Sequence, residues 1–133
     1  MLLNIDLQSE TPIYTQLVHQ IIEGIARKQL LPGEPLPSVR SMAADLGINL
    51  HTVNKAYNLL KQDGFVQINR KQGVVIHPDA FPAADEQYLL RLQEQMRPLI
   101  AEAICRGLTS EQFKKMGEQV FAQFNHVEAE GNE

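Results

Sequence analysis

Cysteine is nearly absent from this sequence, and several other features that identify protein classes are missing too. Cys105 is the single cysteine among 133 residues. It excludes an internal disulfide and is typical of a reducing compartment, where a lone cysteine is usually a small buried hydrophobe. No run of 18 apolar residues predicts a transmembrane helix. The first residues lack the basic start and the long apolar segment of a signal peptide, so we expect a cytoplasmic protein.

Residue patterns typical of enzymes and metal sites are missing as well. The four histidines and the single cysteine show no metal-ligand spacing. No Ser/His/Asp or Cys/His arrangement indicates nucleophilic catalysis, and the stretches around Gly33 and Gly73 do not match a phosphate-binding glycine motif. We therefore expect no enzyme activity, no metal and no cofactor, and we interpret each histidine as an ordinary core or surface residue.

The net charge of −4 is unevenly distributed along the chain. Residues 1–80 hold seven basic and seven acidic side chains, whereas residues 81–133 hold five and nine. Between residues 35 and 75, five basic side chains face two acidic ones, which leaves a local charge of +3. The chain therefore divides into a mildly basic module and an acidic one.

The start of the chain predicts a strand and then a helix. Residues 2–7, LLNIDL, favour a short strand. Thr11 is the expected N-cap of the first helix, and Pro12 suits the first helical position, where its missing N–H costs nothing. Apolar residues from Tyr14 to Ile25 recur at helical spacing. The prolines and the glycine of LLPGEPLP must end this helix.

Two short helices and a hairpin are predicted next. Ser38 begins one helix, and Gly47 is placed to end it in the left-handed conformation. Asn49 is a good cap for the other helix, and the separation of about three residues is that of a helix-turn-helix. Two β-prone runs, Phe65–Asn69 and Val74–His77, then flank RKQG and favour a hairpin with its glycine at the turn.

This order of elements predicts a fold that is mainly α with a small β-hairpin. Residues 1–78 form a winged helix-turn-helix domain in this interpretation, and residues 79–85 form a linker. Residues 86–127 form a C-terminal helical dimerisation region, and residues 128–133 form an acidic tail that is expected to fray. Pro98 either kinks the first C-terminal helix or splits it in two. Thr109 and Gln112 form a capping-box pattern that opens the last helix.

The two C-terminal helices carry apolar stripes that a two-helix hairpin cannot bury by itself. We expect them to pack against the same helices of a second subunit in a two-fold symmetric homodimer. The alternative is that they cover the winged domain within one monomer. The residues predicted to form the dimer are Leu89, Leu92, Met96, Leu99, Ile100, Ile104, Phe113, Val120, Phe121 and Phe124.

The start of the third helix carries side chains that are expected to face DNA. Once the buried stripe is removed, Leu50, His51, Thr52, Asn54 and Lys55 point outward. The first turn of a recognition helix lies against base edges in the major groove. Asparagine bonds adenine through two atoms and leucine contacts the thymine methyl, so the set favours A·T pairs. The alternative is an ordinary polar, solvated helix face.

Positive groups on either side of this helix in the sequence are expected to hold phosphates. Ser38 and Arg40 open the second helix, whose free N–H groups attract an anion. Arg40 has an alternative role as an ion-pair partner of Glu34 or Asp45. The hairpin turn, Arg70–Gln72, is expected to reach phosphates or the minor groove, unless it is simply a solvated turn.

The motifs PGEPLPSVRSMAADLGIN, TVNKAY and DGFV resemble the DNA-binding domain of the GntR family of bacterial transcription regulators, over about residues 12–76. The short helical tail with its RGLTSEQF motif resembles the YtrA subfamily, whose members dimerise through that tail. The resemblance implies a dimeric repressor that binds an inverted-repeat operator in double-stranded DNA. Members of the subfamily often control transporter genes, commonly of the ABC type, together with their own gene.

The resemblance also implies individual DNA contacts, with two departures from the family pattern. Many members have a polar or basic residue, or proline, where Leu50 stands. The wing usually reads Gly-x-Gly, and Lys71 replaces the first glycine, which stiffens the turn or adds a phosphate contact. The contacts implied by the resemblance are Ser38, Arg40, Asn49, Leu50, His51, Thr52, Lys55, Lys71, Gln72 and Gly73.

A second class of function is a winged-helix module that binds proteins and not DNA. A cluster of basic residues argues against this alternative, because a protein-binding winged helix has no need of positive charge on the side that would face a groove. The cluster comprises Arg40, Lys55, Lys61, Arg70 and Lys71. No pattern in the short tail indicates a pocket for a small-molecule effector.

Overall fold

The computed structural model describes residues 3–79 and 81–131, with residues 125–131 described in backbone only. The predicted class is confirmed, because the described chain is mainly helical with one antiparallel hairpin. The described residues form two compact units that divide between Phe81 and Pro82. The elements are α1 (Ile13–Ala26), α2 (Val39–Leu46), α3 (Leu50–Gln62), β1 (Val66–Asn69), β2 (Gly73–Ile76), α4 (Glu86–Cys105) and α5 (Ser110–Gly131).

The first helix begins later than the sequence predicts. Pro12 is the N-cap of α1, with φ −54° and ψ 146°, and no side chain caps this helix. Thr11, the predicted cap, instead donates its backbone N–H to the Ser9 hydroxyl at 3.1 Å. The residue before a proline is restricted to extended conformations, so the chain turns into the helix only after Pro12 itself. The prediction that Thr11 caps the helix is therefore wrong.

The predicted strand near the N-terminus is not formed by residues 3–7. Two side-chain amides of α1 hold this segment instead. Gln20 accepts the Asn4 N–H at 2.9 Å and donates to the Asn4 carbonyl at 2.7 Å. Gln16 makes the same pair of bonds to Asp6, both at 2.9 Å. These amides satisfy the backbone groups that a neighbouring strand would otherwise have to satisfy.

The helix-turn-helix is confirmed together with its caps. The Ser38 hydroxyl accepts the Ser41 N–H at 3.1 Å at the start of α2. Gly47 ends α2 with φ +68°, in the left-handed region that glycine enters without steric cost. The Asn49 side chain then accepts the His51 N–H at 2.7 Å and starts α3. The end of α2 at Gly47 and the cap at Asn49 therefore set where α3 begins.

The first unit has a continuous apolar core. Both α1 and α2 pack against α3, and β1 also contacts α3. Phe81, which falls within the predicted linker, packs against Phe65 in a tilted arrangement with ring centroids 5.5 Å apart. The largest side chains that are fully buried in this unit are Leu17, Ile21, Leu60, Ile76, Val53 and Val75.

The hairpin is also confirmed, and it acquires a third partner. Asn69 pairs with Gly73 across the turn. On the other edge of β2, the Leu36 N–H donates to the Val74 carbonyl at 2.8 Å. The Ile76 N–H donates to the Glu34 carbonyl at 2.8 Å. The proline-rich connection before α2 therefore lies along this edge of β2, where Pro35 forms an isolated β-bridge with Val75. Its composition did not predict this pairing.

The second unit contains two long helices, and the side chains that the structure describes in it form no buried core. Pro98 lies inside the single helix α4 and does not split it. The capping box is confirmed, because Thr109 and Gln112 exchange two hydrogen bonds of 2.9 and 3.1 Å. Helix α5 continues to Gly131, past residue 127, where the dimerisation region was predicted to end. The last two residues of the predicted tail lie outside the described residues.

None of the side chains that the structure describes in α4 and α5 is buried. Among the described residues, no helix is both long and apolar enough to span a bilayer.

Candidate nucleic-acid interface

The outer face of α3 carries the side chains that the sequence predicts for DNA. Leu50, His51, Asn54 and Lys55 are exposed, whereas Thr52 is half-buried. The opposite face of the helix is fixed by buried residues that pack against the rest of the first unit. Because that face is held rigidly, the exposed side chains share one surface whose orientation follows from the core.

Asn49 already serves as a helix cap, which restricts what else it can bind. Its side-chain oxygen accepts the His51 N–H, so the side-chain NH₂ remains to donate to a phosphate or a base. Ser38 is restricted in the same way. Its hydroxyl oxygen caps α2, and its hydroxyl hydrogen remains available as a donor.

Arg40 lies exposed in the first turn of α2. The alternative in which it pairs with Glu34 or Asp45 is not formed, since neither ion pair occurs among the described residues. The guanidinium therefore keeps its full donor set beside the N-terminus of α2, which favours an anion through its free N–H groups.

Tyr57 joins the start of α2 to α3, a role that the sequence did not reveal. Its hydroxyl donates to the Pro37 carbonyl at 2.8 Å. Burial raises the pKa of Tyr57 well above its usual range. The tyrosine therefore remains a neutral donor at ordinary pH, and it fixes the segment that carries Ser38 and Arg40 against α3.

The wing turn is organised by Asn69, which the sequence analysis treated as an ordinary strand residue. Its side-chain oxygen accepts the N–H groups of Lys71 and Gln72, at 2.8 and 3.3 Å. An asparagine just before a short polar turn is a recognisable signal for this arrangement. Arg70, Lys71 and Gln72 are all exposed. Gly73 closes the turn with φ +78°.

The departure at Lys71 has a structural explanation. Among the described residues, Lys28 is the one non-glycine residue with a positive φ, so Lys71 occupies an ordinary backbone conformation. The left-handed residue of the turn is Gly73, whereas position 71, where the family pattern has its first glycine, does not need that conformation. Lysine therefore fits at position 71 without backbone strain, and it places a cation at the tip of the wing.

Lys55 is held by an aromatic ring from another helix. Its Nζ lies 3.9 Å from the centroid of the Tyr14 ring, on α1. Tyr14 was interpreted from the sequence only as a member of an apolar stripe, and no local pattern connects it with α3. Three contacts thus join the candidate DNA-binding elements. Lys55 contacts α1, and Tyr57 ties the segment before Ser38 and Arg40 to α3. The wing pairs with the segment that precedes Ser38.

The predicted dimer residues lie at the surface of the second unit. Leu89, Leu99, Ile104, Val120 and Phe121 are between 48% and 75% exposed. The other five are half-buried: Leu92, Met96, Ile100, Phe113 and Phe124. In residues 3–79 and 81–131, as far as their side chains are described, no group of three or more His, Cys, Asp or Glu side chains is arranged to hold a metal ion.

Comparisons with known proteins agree with this architecture. The model of the family described as "Bacterial regulatory proteins, gntR family" matches residues 13–76. The transcriptional repressor YtrA of Bacillus subtilis is 32% identical over 121 residues, which cover 91% of this chain and 93% of the repressor.

Two solved structures extend the comparison. The GntR-family transcription factor YtrA from Sulfolobus acidocaldarius is 39% identical, with a TM-score of 0.59 over 77% of this chain and 97% of that one. A protein from Listeria monocytogenes EGD-e, described as a transcriptional antiterminator, has a TM-score of 0.85 over 93% of this chain and 92% of its own. At 24% identity, this last likeness concerns the fold alone. The chain belongs to the gntR family of bacterial regulatory proteins, and it is a DNA-binding transcriptional regulator and not an enzyme.

Proposed function

We propose that the protein is a dimeric repressor that recognises an inverted-repeat operator in double-stranded DNA. The observation that carries the proposal is the pairing of a rigid, exposed α3 face with two helices whose described side chains have no buried core. The first feature suits a base-reading surface, and the second suits a surface completed by another copy.

In this proposal α3 enters the major groove with its first turns against the bases. Leu50, Asn54 and His51 lie along the exposed face and are assigned to base edges, with Asn54 suited to adenine. Arg40, Ser38 and the wing residues 70–73 are assigned to phosphates. Most protein–DNA hydrogen bonds go to the sugar-phosphate backbone and fix the register of the protein, so this division of labour is an ordinary one.

Dimerisation is supported by the apolar side chains that α4 and α5 expose. Leu99, Ile104 and Phe121 each expose more than 60% of their surface, and large apolar side chains that stay exposed in number are typical of protein interfaces. A second copy supplies an identical patch, so a two-fold interface is self-complementary. Two α3 helices in one dimer are expected to reach major grooves about 34 Å apart on a near-palindromic site.

The regulated genes are proposed on the subfamily resemblance. We assign the protein to the repression of an ABC-type transporter operon and of its own gene, and to the cytoplasm, where the chromosome lies. Similarity to the Bacillus subtilis repressor over most of both chains supports the repressor assignment. No small-molecule effector is proposed.

Selection from a random-sequence duplex library tests the operator proposal. The full-length chain should enrich an inverted repeat with half-sites about one helical turn apart, or a multiple of it. The Asn54→Ala chain should enrich a motif that is relaxed at one position of each half-site. Affinity for the enriched duplex should fall steeply with salt, because several phosphates are neutralised. A wild-type chain that enriches no duplex and binds none in a salt series would support the protein-interaction alternative.

A further inference from the structure

We propose that Tyr14 is a positioning residue for DNA binding, whose ring holds the Lys55 ammonium at the side of α3 where a phosphate, and not a base, lies. The inference rests on the DNA-binding role proposed above and deepens it. It assigns Lys55 to the DNA backbone, and it assigns to α1 a part in the interface that no sequence motif indicated.

The geometry of the pair fits a cation–π interaction. The Lys55 Nζ is 3.9 Å from the Tyr14 ring centroid, well inside the range of about 6 Å over which such contacts attract. Tyr14 is half-buried and packs against the core of the first unit. The ring is therefore in place before DNA arrives, and the lysine side chain rests against a fixed surface.

An aromatic partner leaves the lysine chemically free to bind a phosphate. An ion pair would neutralise the ammonium, but Lys55 makes none among the described residues. The ring face attracts the ammonium through its electron density and keeps the positive charge available. The ammonium carries three N–H donors, and the outward side of the ammonium, away from the ring, remains open to an anion.

The position of Lys55 on α3 favours a phosphate over a base. At about 100° per residue, Leu50, Asn54 and His51 span one arc of the helix surface, and Lys55 lies beyond one edge of it. The contact with Tyr14 draws its ammonium further towards α1. A recognition helix in the major groove has base edges in front of it and the phosphate strands along its flanks, so this ammonium meets a flank.

Holding the lysine in place should raise DNA affinity without a new contact to DNA. A free lysine loses side-chain entropy when it binds a phosphate, and a side chain that is already positioned loses less. An exposed cation–π contact corresponds to about 2–5-fold in an equilibrium constant. This factor is the expected contribution of Tyr14, and it exists only while Lys55 is present.

A double-mutant cycle on the full-length chain tests the proposal. The probe is a fluorescently labelled duplex of mixed sequence, titrated at several salt concentrations. Lys55→Ala should weaken binding and lower the salt slope by about one phosphate for each protomer. Tyr14→Leu should weaken binding about 2–5-fold when Lys55 is present, and should have almost no effect in the Lys55→Ala background. Equal losses from Tyr14→Leu in both backgrounds would overturn the proposal.

Two further variants separate positioning from general folding effects. Tyr14→Phe keeps the aromatic face, so its coupling to Lys55 should persist. Lys61→Ala removes another exposed lysine from α3. In that background Tyr14→Leu should still weaken DNA binding by the same factor as in the wild-type chain. Thermal unfolding of the Tyr14→Leu chain shows whether the winged unit remains folded. Loss of the coupling in Tyr14→Phe, or an equal coupling to Lys61, would overturn the assignment.

The mixed-sequence probe also keeps this inference separable from the proposed operator. A phosphate contact requires no particular sequence, so the cycle remains measurable even when library selection enriches no repeat. If the wild-type chain binds no duplex at all, the proposed function and the positioning role are both overturned. If it binds and the losses are additive, only the role of Tyr14 is overturned.

Discussion

The Tyr57 hydroxyl donates to the Pro37 carbonyl at 2.8 Å, and this bond joins α3 to the residue just before Ser38. It links the helix that carries the base-reading candidates with the helix that carries the phosphate-binding candidates. The ring itself is buried, with 4% of its surface exposed. Tyr57 therefore contributes apolar packing through its ring and a specific tether through its oxygen.

Replacing Tyr57 by phenylalanine should remove the tether and keep the packing. We expect a loss of about 0.5–1.5 kcal/mol in the free energy of unfolding, the usual value of one hydrogen bond. Urea denaturation measures it. Tyr14→Phe is a matched control, because no hydrogen bond to the Tyr14 hydroxyl is found among the described residues, and its unfolding free energy should change by less than about 0.5 kcal/mol. Equal losses in both variants would contradict the assigned bond.

The pH dependence of stability offers a second test of the same residue. Burial raises the pKa of Tyr57, so the phenol ionises at lower pH in the unfolded chain than in the folded one. Its contribution is therefore fully present below about pH 10 and is lost as the pH rises further. The difference in unfolding free energy between wild type and Tyr57→Phe should fall by about 1 kcal/mol per pH unit above that point. A constant difference between about pH 8 and about pH 11 would exclude a buried phenol.

The elements that could be predicted from the sequence are those specified by adjacent residues. Ser38, Gly47 and Asn49 act within three positions of themselves, so their types alone place the caps and the turn. The hairpin could also be predicted from the sequence, since two β-prone runs surround a polar turn that ends in glycine. The face of α3 also followed from periodicity, because its buried residues recur at helical spacing.

The features that escaped prediction depend on residues far apart in the chain. Gln20 binds the backbone of Asn4, and Tyr14 holds Lys55, but glutamine or tyrosine in a helix gives no sign of such a partner. The segment that ends at Leu36 pairs with β2 although its composition is that of a loop. These contacts arise from packing, so they become visible only when the elements are assembled.

Asn69→Ala should impair the wing specifically. The asparagine oxygen satisfies the N–H groups of Lys71 and Gln72, so its loss should loosen the turn that presents two candidate DNA contacts. We expect a several-fold weaker affinity for the selected operator and a change in stability of less than about 1 kcal/mol, because the turn is exposed. A salt-controlled binding titration measures the operator affinity, and urea denaturation measures the stability. An unchanged affinity for the operator would show that the wing turn makes no contact with DNA.

Arg40→Ala should weaken operator binding by about 1–3 kcal/mol. Arg40 is exposed near the N-terminus of α2 and forms no ion pair among the described residues, so its charge is available to DNA. A phosphate contact predicts a similar loss on every duplex and a salt slope lower by about one for each protomer. A base contact predicts a loss confined to one operator position. Equal affinity for wild type and variant across the salt series would exclude both.

Truncation after Phe81 should give a folded monomer. The residues up to Phe81 form a compact unit with its own buried core, and Phe81 itself packs on Phe65, so the cut lies just beyond the last core contact. The removed helices carry the exposed side chains of Leu99 and Phe121, which we assign to the dimer. Sedimentation equilibrium should report a dimer for the full-length chain and a monomer for the truncated one, with unchanged helical content per winged unit. A truncated chain that still dimerises would move the interface into the winged unit. A monomeric full-length chain would exclude the dimer that we propose for these helices.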